Sequence, residues 1–174
     1  MSETHQQRIK QIAQRRWVDC EGSEQNFLTD DEVENLNIAR GTLTADERTI
    51  VNHHIVATIK MLESLPFPRS LQNVSEIAGG HHERMDGKGY PKGLKREELS
   101  IPARMMGIVD IFEALTAVDR PYKDGMTLSQ AISILEKMKL DQHVDPDLLD
   151  LFINEKVYRG YAERYLQAYQ LDDG

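Results

Sequence analysis

Hydrophobic positions recur along the chain at helical spacing, and the sequence reads almost wholly as helix and turn. Residues 5–17, HQQRIKQIAQRRW, suit a short amphipathic helix that the polar run DCEGSEQNF breaks. At Thr29 the order Thr-Asp-Asp-Glu is a capping box, followed by a short helix to about Ile38 that Gly41 stops. A second capping box, Thr44 to Glu47, opens a longer helix to about Leu65, where Pro66 and Pro68 end it. On that helix Ile50, His54, Ala57, Met61 and Leu65 share one face with Val51 and Leu62 beside them, which points His54 into the core and leaves His53 at its margin. A third helix, from about Ser70 to Met85, places Val74, Ile77, His81 and Met85 on one stripe with Ala78 and His82 on its flank.

Ser100 and Pro102 open the segment IPARMMGIVDIFEALTAV, which is apolar all round and reads as a buried central helix. Met105, Ile108 and Phe112 lie on one side; Ala103, Met106, Ala114 and Ala117 lie on the other, with Asp110 among them. Thr127 caps an amphipathic helix that turns Ala131, Ile134, Leu135 and Met138 inward. Asp145 and Pro146 start the next, leading to Leu151, Phe152 and a final helical stretch around Tyr158 to Tyr169. His143 falls in the polar turn between them, where a surface position is expected.

Composition narrows the function classes. The 174 residues, 40% of them hydrophobic and without an internal repeat, suit one core. A single cysteine, Cys20, excludes an internal disulfide framework, and the absence of an apolar run of membrane-spanning or signal-peptide type predicts a cytoplasmic protein with no membrane association. A net charge of -8 argues against binding a nucleic-acid duplex. It leaves room for a small anionic nucleotide, because Arg84, Lys88, Lys92, Lys95 and Arg96 stand near only Glu83 and Asp86.

Three features carry chemistry. Histidines on apolar faces, such as His54 and His81, are either hydrogen-bonded core residues or ligands, and the pattern leaves both open. Gly79 and Gly80 each cost a helix about 1 kcal/mol relative to alanine, which close approach by a neighbouring element would offset. On a helix, adjacent imidazoles diverge by about 100°, so His81 and His82 suit two metals, or one metal and a substrate, better than one chelated ion. The glycines of DGKGYP then free the chain to turn and Pro91 stiffens it, so Tyr90 sits on a rigid loop where it can stack on a base or donate to a phosphate. Asp110, ionised on an apolar helix, needs a partner: a divalent cation held with imidazoles, or an ion pair with Arg120.

The strings HHERMDGKGYPKGL, IPARMMGIVDIFEALTAVDRPYK and HVDPDLLDLF together resemble the C-terminal part of an HD-GYP domain, over roughly residues 44–155. This is a bacterial branch of the HD metal-dependent phosphohydrolases that typically acts on cyclic di-GMP. The resemblance implies an all-α, HD-domain-like helical bundle around a two- or three-metal centre of iron or manganese. It divides the chain into an N-terminal segment, 1–43, and the HD-GYP part, 44–174. Carried over by position, His54, His81, His82 and Asp110 match metal ligands, and Tyr90, Arg120 and Lys123 match residues that hold the dinucleotide. A sensor or receiver domain is expected in the longer protein, and a homodimer is expected from the apolar face that missing N-terminal helices would leave exposed.

One departure is large. The family's His-Asp dyad lies upstream of the helix that carries His54, and no histidine here is followed by aspartate. The bundle is therefore expected to be incomplete at its N-terminal side, either as a piece of a longer phosphodiesterase or as a degenerate module that binds a nucleotide or a protein without hydrolysis. In both cases little hydrolysis is expected of these residues alone.

Overall fold

The computed structural model describes residues 1–39, 41–118 and 125–172, and they form two compact units, Met1–Asn52 and His53–Gly174. Arg120 and Lys123 lie outside the described residues. The fold is all-α apart from one small hairpin, and no helix among the described residues is long and apolar enough to cross a membrane.

The first unit holds α1 (Glu3–Ala13), the antiparallel pair β1 (Arg16–Val18) and β2 (Glu24–Asn26), α2 (Asp30–Leu36) and α3 (Ala45–Asn52). The first predicted helix thus ends early, and its tail becomes a strand paired in the register Trp17 to Gln25. Asp19 makes the turn between the strands by accepting the amides of Glu21 and Ser23, with Gly22 at φ +83°. Both capping boxes form: Thr29 with Glu32, and Thr44 with Glu47.

The second unit holds α4 (His54–Glu63), α5 (Val74–Gly79), α6 (Ile101–Thr116), α7 (Leu128–Leu140), α8 (Pro146–Asn154) and α9 (Arg159–Tyr165). The helix expected over 44–65 is therefore interrupted at His53. Its buried face is also another one. Ile55 is buried and Ile59 and Leu62 are half-buried, whereas Met61 is 59% exposed and His54 lies at the surface, outside the core. The period was legible, but the phase of an amphipathic helix is set by what it packs on. Here that partner is α5, where a Cβ on Gly79 would come within 2.8 Å of the Ile59 side chain. Gly80 is equally constrained, since its added Cβ would stand 3.0 Å from Ala103 on α6. These glycines admit the close neighbours that their cost in helix propensity called for.

The core gathers α6, α7, α8 and α9 around Ile108, Phe112, Leu135, Leu149, Phe152 and Tyr158, with the Phe112 and Phe152 rings edge to face at 5.5 Å. α6 is buried on one side only: Met105 and Val109 are each 50% exposed, because α5, α7 and α8 cover just the face of Ala103, Ile108, Phe112 and Thr116. On α7 the residues facing in are Leu128, Ala131, Ile132 and Leu135, with Ile134 half-buried.

Two polar staples hold these helices in place. Asp145, fully buried, caps α8 by accepting the amides of Asp147 and Leu148, and it pairs with Arg96 at 2.9 Å and with Arg104 of α6. Gln170, also fully buried, donates to the carbonyls of Thr116 and Met126 at 2.8 and 2.9 Å, which fixes the end of α6 beside the start of α7.

Candidate metal centre

The site grows from the end of α5. The helix stops at Gly80 instead of running to Met85, so His81 and His82 occupy a turn. This overturns the divergence expected of neighbours on a helix: the two rings lie 4.0 Å apart, and a donor atom of each lies within 4.8 Å of the other. α6 supplies the third member. Gly107 leaves room for its backbone to approach the His81 carbonyl, which an added Cβ would meet at 3.2 Å. Asp110, one turn further along, then shares the site. Donor atoms of His81, His82 and Asp110 all lie within 4.8 Å of one another, and all three residues are half-buried. His54 stands beside this group, its ring edge-on to His82 at 5.4 Å.

This donor set fits a divalent cation. A carbonyl only accepts, so the 2.6 Å contact between His81 Nδ1 and Ala78 O places the His81 proton on Nδ1 and leaves the Nε2 lone pair for a ligand. His82 is held below the usual histidine pKa by burial first and then by the charge of His81, which keeps its lone pair free near neutral pH. Two imidazoles and a carboxylate form a mixed N and O set that suits iron, manganese or zinc.

The GYP loop closes over the histidines. Buried Glu83 accepts the amides of Lys92 and Leu94 at 2.7 and 2.9 Å, and Asp86 accepts two bonds from Arg84 and the amide of Lys88. The Tyr90 amide donates to the His82 carbonyl at 3.2 Å, and the tyrosine ring stacks on His82 at 4.7 Å. Burial, and secondarily the charge of Asp110, pushes the Tyr90 phenol above its ordinary pKa, so its hydroxyl is a donor at neutral pH.

Gly89 is the tightest position in this loop. A Cβ there would lie 2.4 Å from the Arg84 amide nitrogen and 2.5 Å from Glu83 Cα, both backbone atoms that cannot turn aside. Gly89→Ala is therefore expected to cost about 1–3 kcal/mol and to lift Tyr90 off His82. A thermal melt and the Tyr90 ring proton shifts check this, and an unchanged melt with unshifted protons would contradict it.

The resulting cleft, of about 280 Å³, is lined by His81, His82, Arg84, Tyr90, Asp110 and His143 among others. Of the five basic residues expected to form a pocket, Arg84 and Lys88 reach it. Arg96 is instead spent on Asp145 and Asp147. His143 was expected at the surface. It is half-buried, and its Nδ1 lies 3.4 Å from Nη1 of Arg84. No local pattern in the sequence signalled this, since its partner Arg84 lies 59 residues earlier.

Comparison with known proteins agrees with this architecture. A family model described as HD domain matches residues 30–148. A 3'3'-cGAMP-specific phosphodiesterase of Vibrio cholerae is 37% identical over 108 residues, covering 62% of this chain and 22% of the relative. A cyclic di-GMP phosphodiesterase of Pseudomonas aeruginosa is 36% identical over 113 residues, covering 65% and 26%. A cyclic di-GMP phosphodiesterase of Thermotoga maritima is 34% identical over 113 residues, covering 65% and 30%. The chain thus spans less than a third of the length of these relatives.

Proposed function

The chain belongs to the HD domain family, on its HD-GYP branch, and from that premise we propose that it forms the metal- and nucleotide-holding part of a phosphodiesterase that opens cyclic di-GMP. The observation that carries this reading is the convergence of His81, His82 and Asp110, with the Tyr90 ring stacked on His82. In it, His81, His82 and Asp110, with His54 beside them, would hold divalent iron or manganese, which when bound would supply charge neutralisation at phosphorus and an acidified water. Tyr90 orients the dinucleotide by stacking and by donating its hydroxyl, and Arg120 and Lys123 complete the nucleotide contacts.

Since no histidine here is followed by aspartate, the dyad carboxylate that would bridge a second cation is missing from these residues. We therefore expect this chain to bind the dinucleotide and to hydrolyse it little. The same absence favours a second reading, a nucleotide-binding module without hydrolysis. A homodimer and an attached sensor or receiver domain are the partners we propose.

Calorimetric titration of the manganese-loaded chain with cyclic di-GMP, paired with chromatography for the linear product, tests this. Saturable binding is expected, weakened roughly tenfold by Tyr90→Ala through loss of one stacking contact, with little product. Absence of binding would remove the reading. Rapid manganese- or iron-dependent turnover would overturn the expectation of weak hydrolysis.

A further inference from the structure

The cleft brings together two chemically different sets of side chains: the imidazoles and carboxylate of His81, His82 and Asp110, and the donors Arg84, Lys88, Tyr90 and His143. A phosphodiester has two non-bridging oxygens, and a cation held by the first set would neutralise charge at one of them. The second can accept from another donor of the same cleft beside the Tyr90 hydroxyl, and Arg84 is already committed to Asp86 and Asp141.

Arg84 is almost fully engaged. Its Nε and Nη2 donate to the two oxygens of Asp86 at 3.0 Å each, and Nη2 also donates to the Asp141 carbonyl at 3.1 Å. Lys88 is 3.4 Å from the same Asp86 and 79% exposed. Nη1 of Arg84 faces Nδ1 of His143. A guanidinium never accepts, so Nδ1 of His143 carries the lone pair, and its proton sits on Nε2. Burial, then the charge of Arg84, holds His143 below the usual histidine pKa, in agreement with a neutral ring of a single tautomer.

We propose that His143, locked by Arg84 with its proton on Nε2, is a substrate-binding residue that donates to the second non-bridging oxygen of a phosphodiester whose first oxygen faces the cation. The assignment rests on the reading of the cleft as a phosphodiesterase site. It makes Arg84 a positioning residue, held by Asp86 and acting through the imidazole.

Two isosteres separate this role from a purely structural one. The amide nitrogen of glutamine reaches the position of Nε2, whereas that of asparagine reaches only the position of Nδ1. Titration of cyclic di-GMP into the full, manganese-loaded chain is expected to show His143→Ala and His143→Asn each weakened about tenfold, as for loss of a hydrogen bond to a charged group, with His143→Gln close to the original. Manganese affinity stays unchanged in all three. Retention in His143→Asn with loss in His143→Gln would overturn the proposal in favour of a structural link to Arg84, and equal affinity in every variant would overturn it while leaving the phosphodiesterase reading intact.

A second arm covers failure of that reading. With zinc in place of manganese, inorganic phosphate is titrated while the ¹⁵N resonance of His143 Nε2 is followed. A saturable shift in a chain that does not bind the dinucleotide supports the His143 contact and removes the dinucleotide. If neither cyclic di-GMP nor phosphate moves that resonance, the proposal is wrong.

Discussion

Replacing Asp110 by asparagine is expected to weaken manganese binding about 100-fold or more, a larger effect than the 10–100-fold typical of residues that only support a ligand, while leaving the fold intact. The substitution keeps the shape of the side chain and removes its charge. The two remaining imidazoles are neutral donors, so the cation loses its one anionic partner among the three clustered residues. Asp110 is half-buried and faces the cleft, so little packing is lost. The metal-free chain supplies an independent readout. Burial and then the Asp110 charge raise the Tyr90 phenol, so removing the charge should bring its titration back toward the ordinary tyrosine value. Calorimetry with manganese and a pH titration of the assigned Tyr90 resonance measure both. Undiminished metal affinity would show that Asp110 is no ligand.

Asp145→Ala should produce the largest loss of stability. The carboxylate is fully buried, and it holds Arg104, whose side chain is 16% exposed, and Arg96, at 36%. Removing one member of a buried ion pair leaves uncompensated charge, at a cost of about 3–5 kcal/mol, and loss of the α8 cap adds about 1 kcal/mol. The same carboxyl makes the wild-type chain sensitive to acid. Burial alone would raise its pKa, but the Leu148 amide, Arg104 and Arg96 together outweigh that and hold it below the usual range. Asp86 is also held well below the usual range, chiefly by its hydrogen bonds from Arg84. For a carboxyl whose folded pKa is depressed, the stabilisation is complete above the unfolded value of about 4 and is lost as pH falls through the folded value. Denaturant unfolding should therefore show wild-type stability dropping from about pH 4 downward, with a shallower drop in Asp145→Ala. Parallel pH profiles for the two proteins would contradict this account of Asp145.

What the sequence made legible followed from local rules. The caps at Thr29, Thr127 and Asp145 need only neighbours within four residues, and all three form. The glycine pair before His81 signalled close packing, and Ile59 and Ala103 stand where that packing is needed. Features decided by distant partners were not legible. α4 is apolar on more than one side, and contact with α5 settled which side is buried. The histidine pair converges because the helix ends at Gly80, a termination that the apolar spacing through Met85 concealed. His143 joins the cleft through Arg84, 59 residues earlier in the chain, and no local pattern reports such a partner.

The central claim is that one cation sits among His81, His82 and Asp110, facing Tyr90. Anomalous X-ray diffraction from manganese-soaked crystals of the full chain tests it most directly. The account predicts an anomalous peak within about 2.0–2.3 Å of donor atoms from all three residues, as in ordinary N and O coordination. Manganese bound elsewhere on the chain, with that position empty, would contradict it.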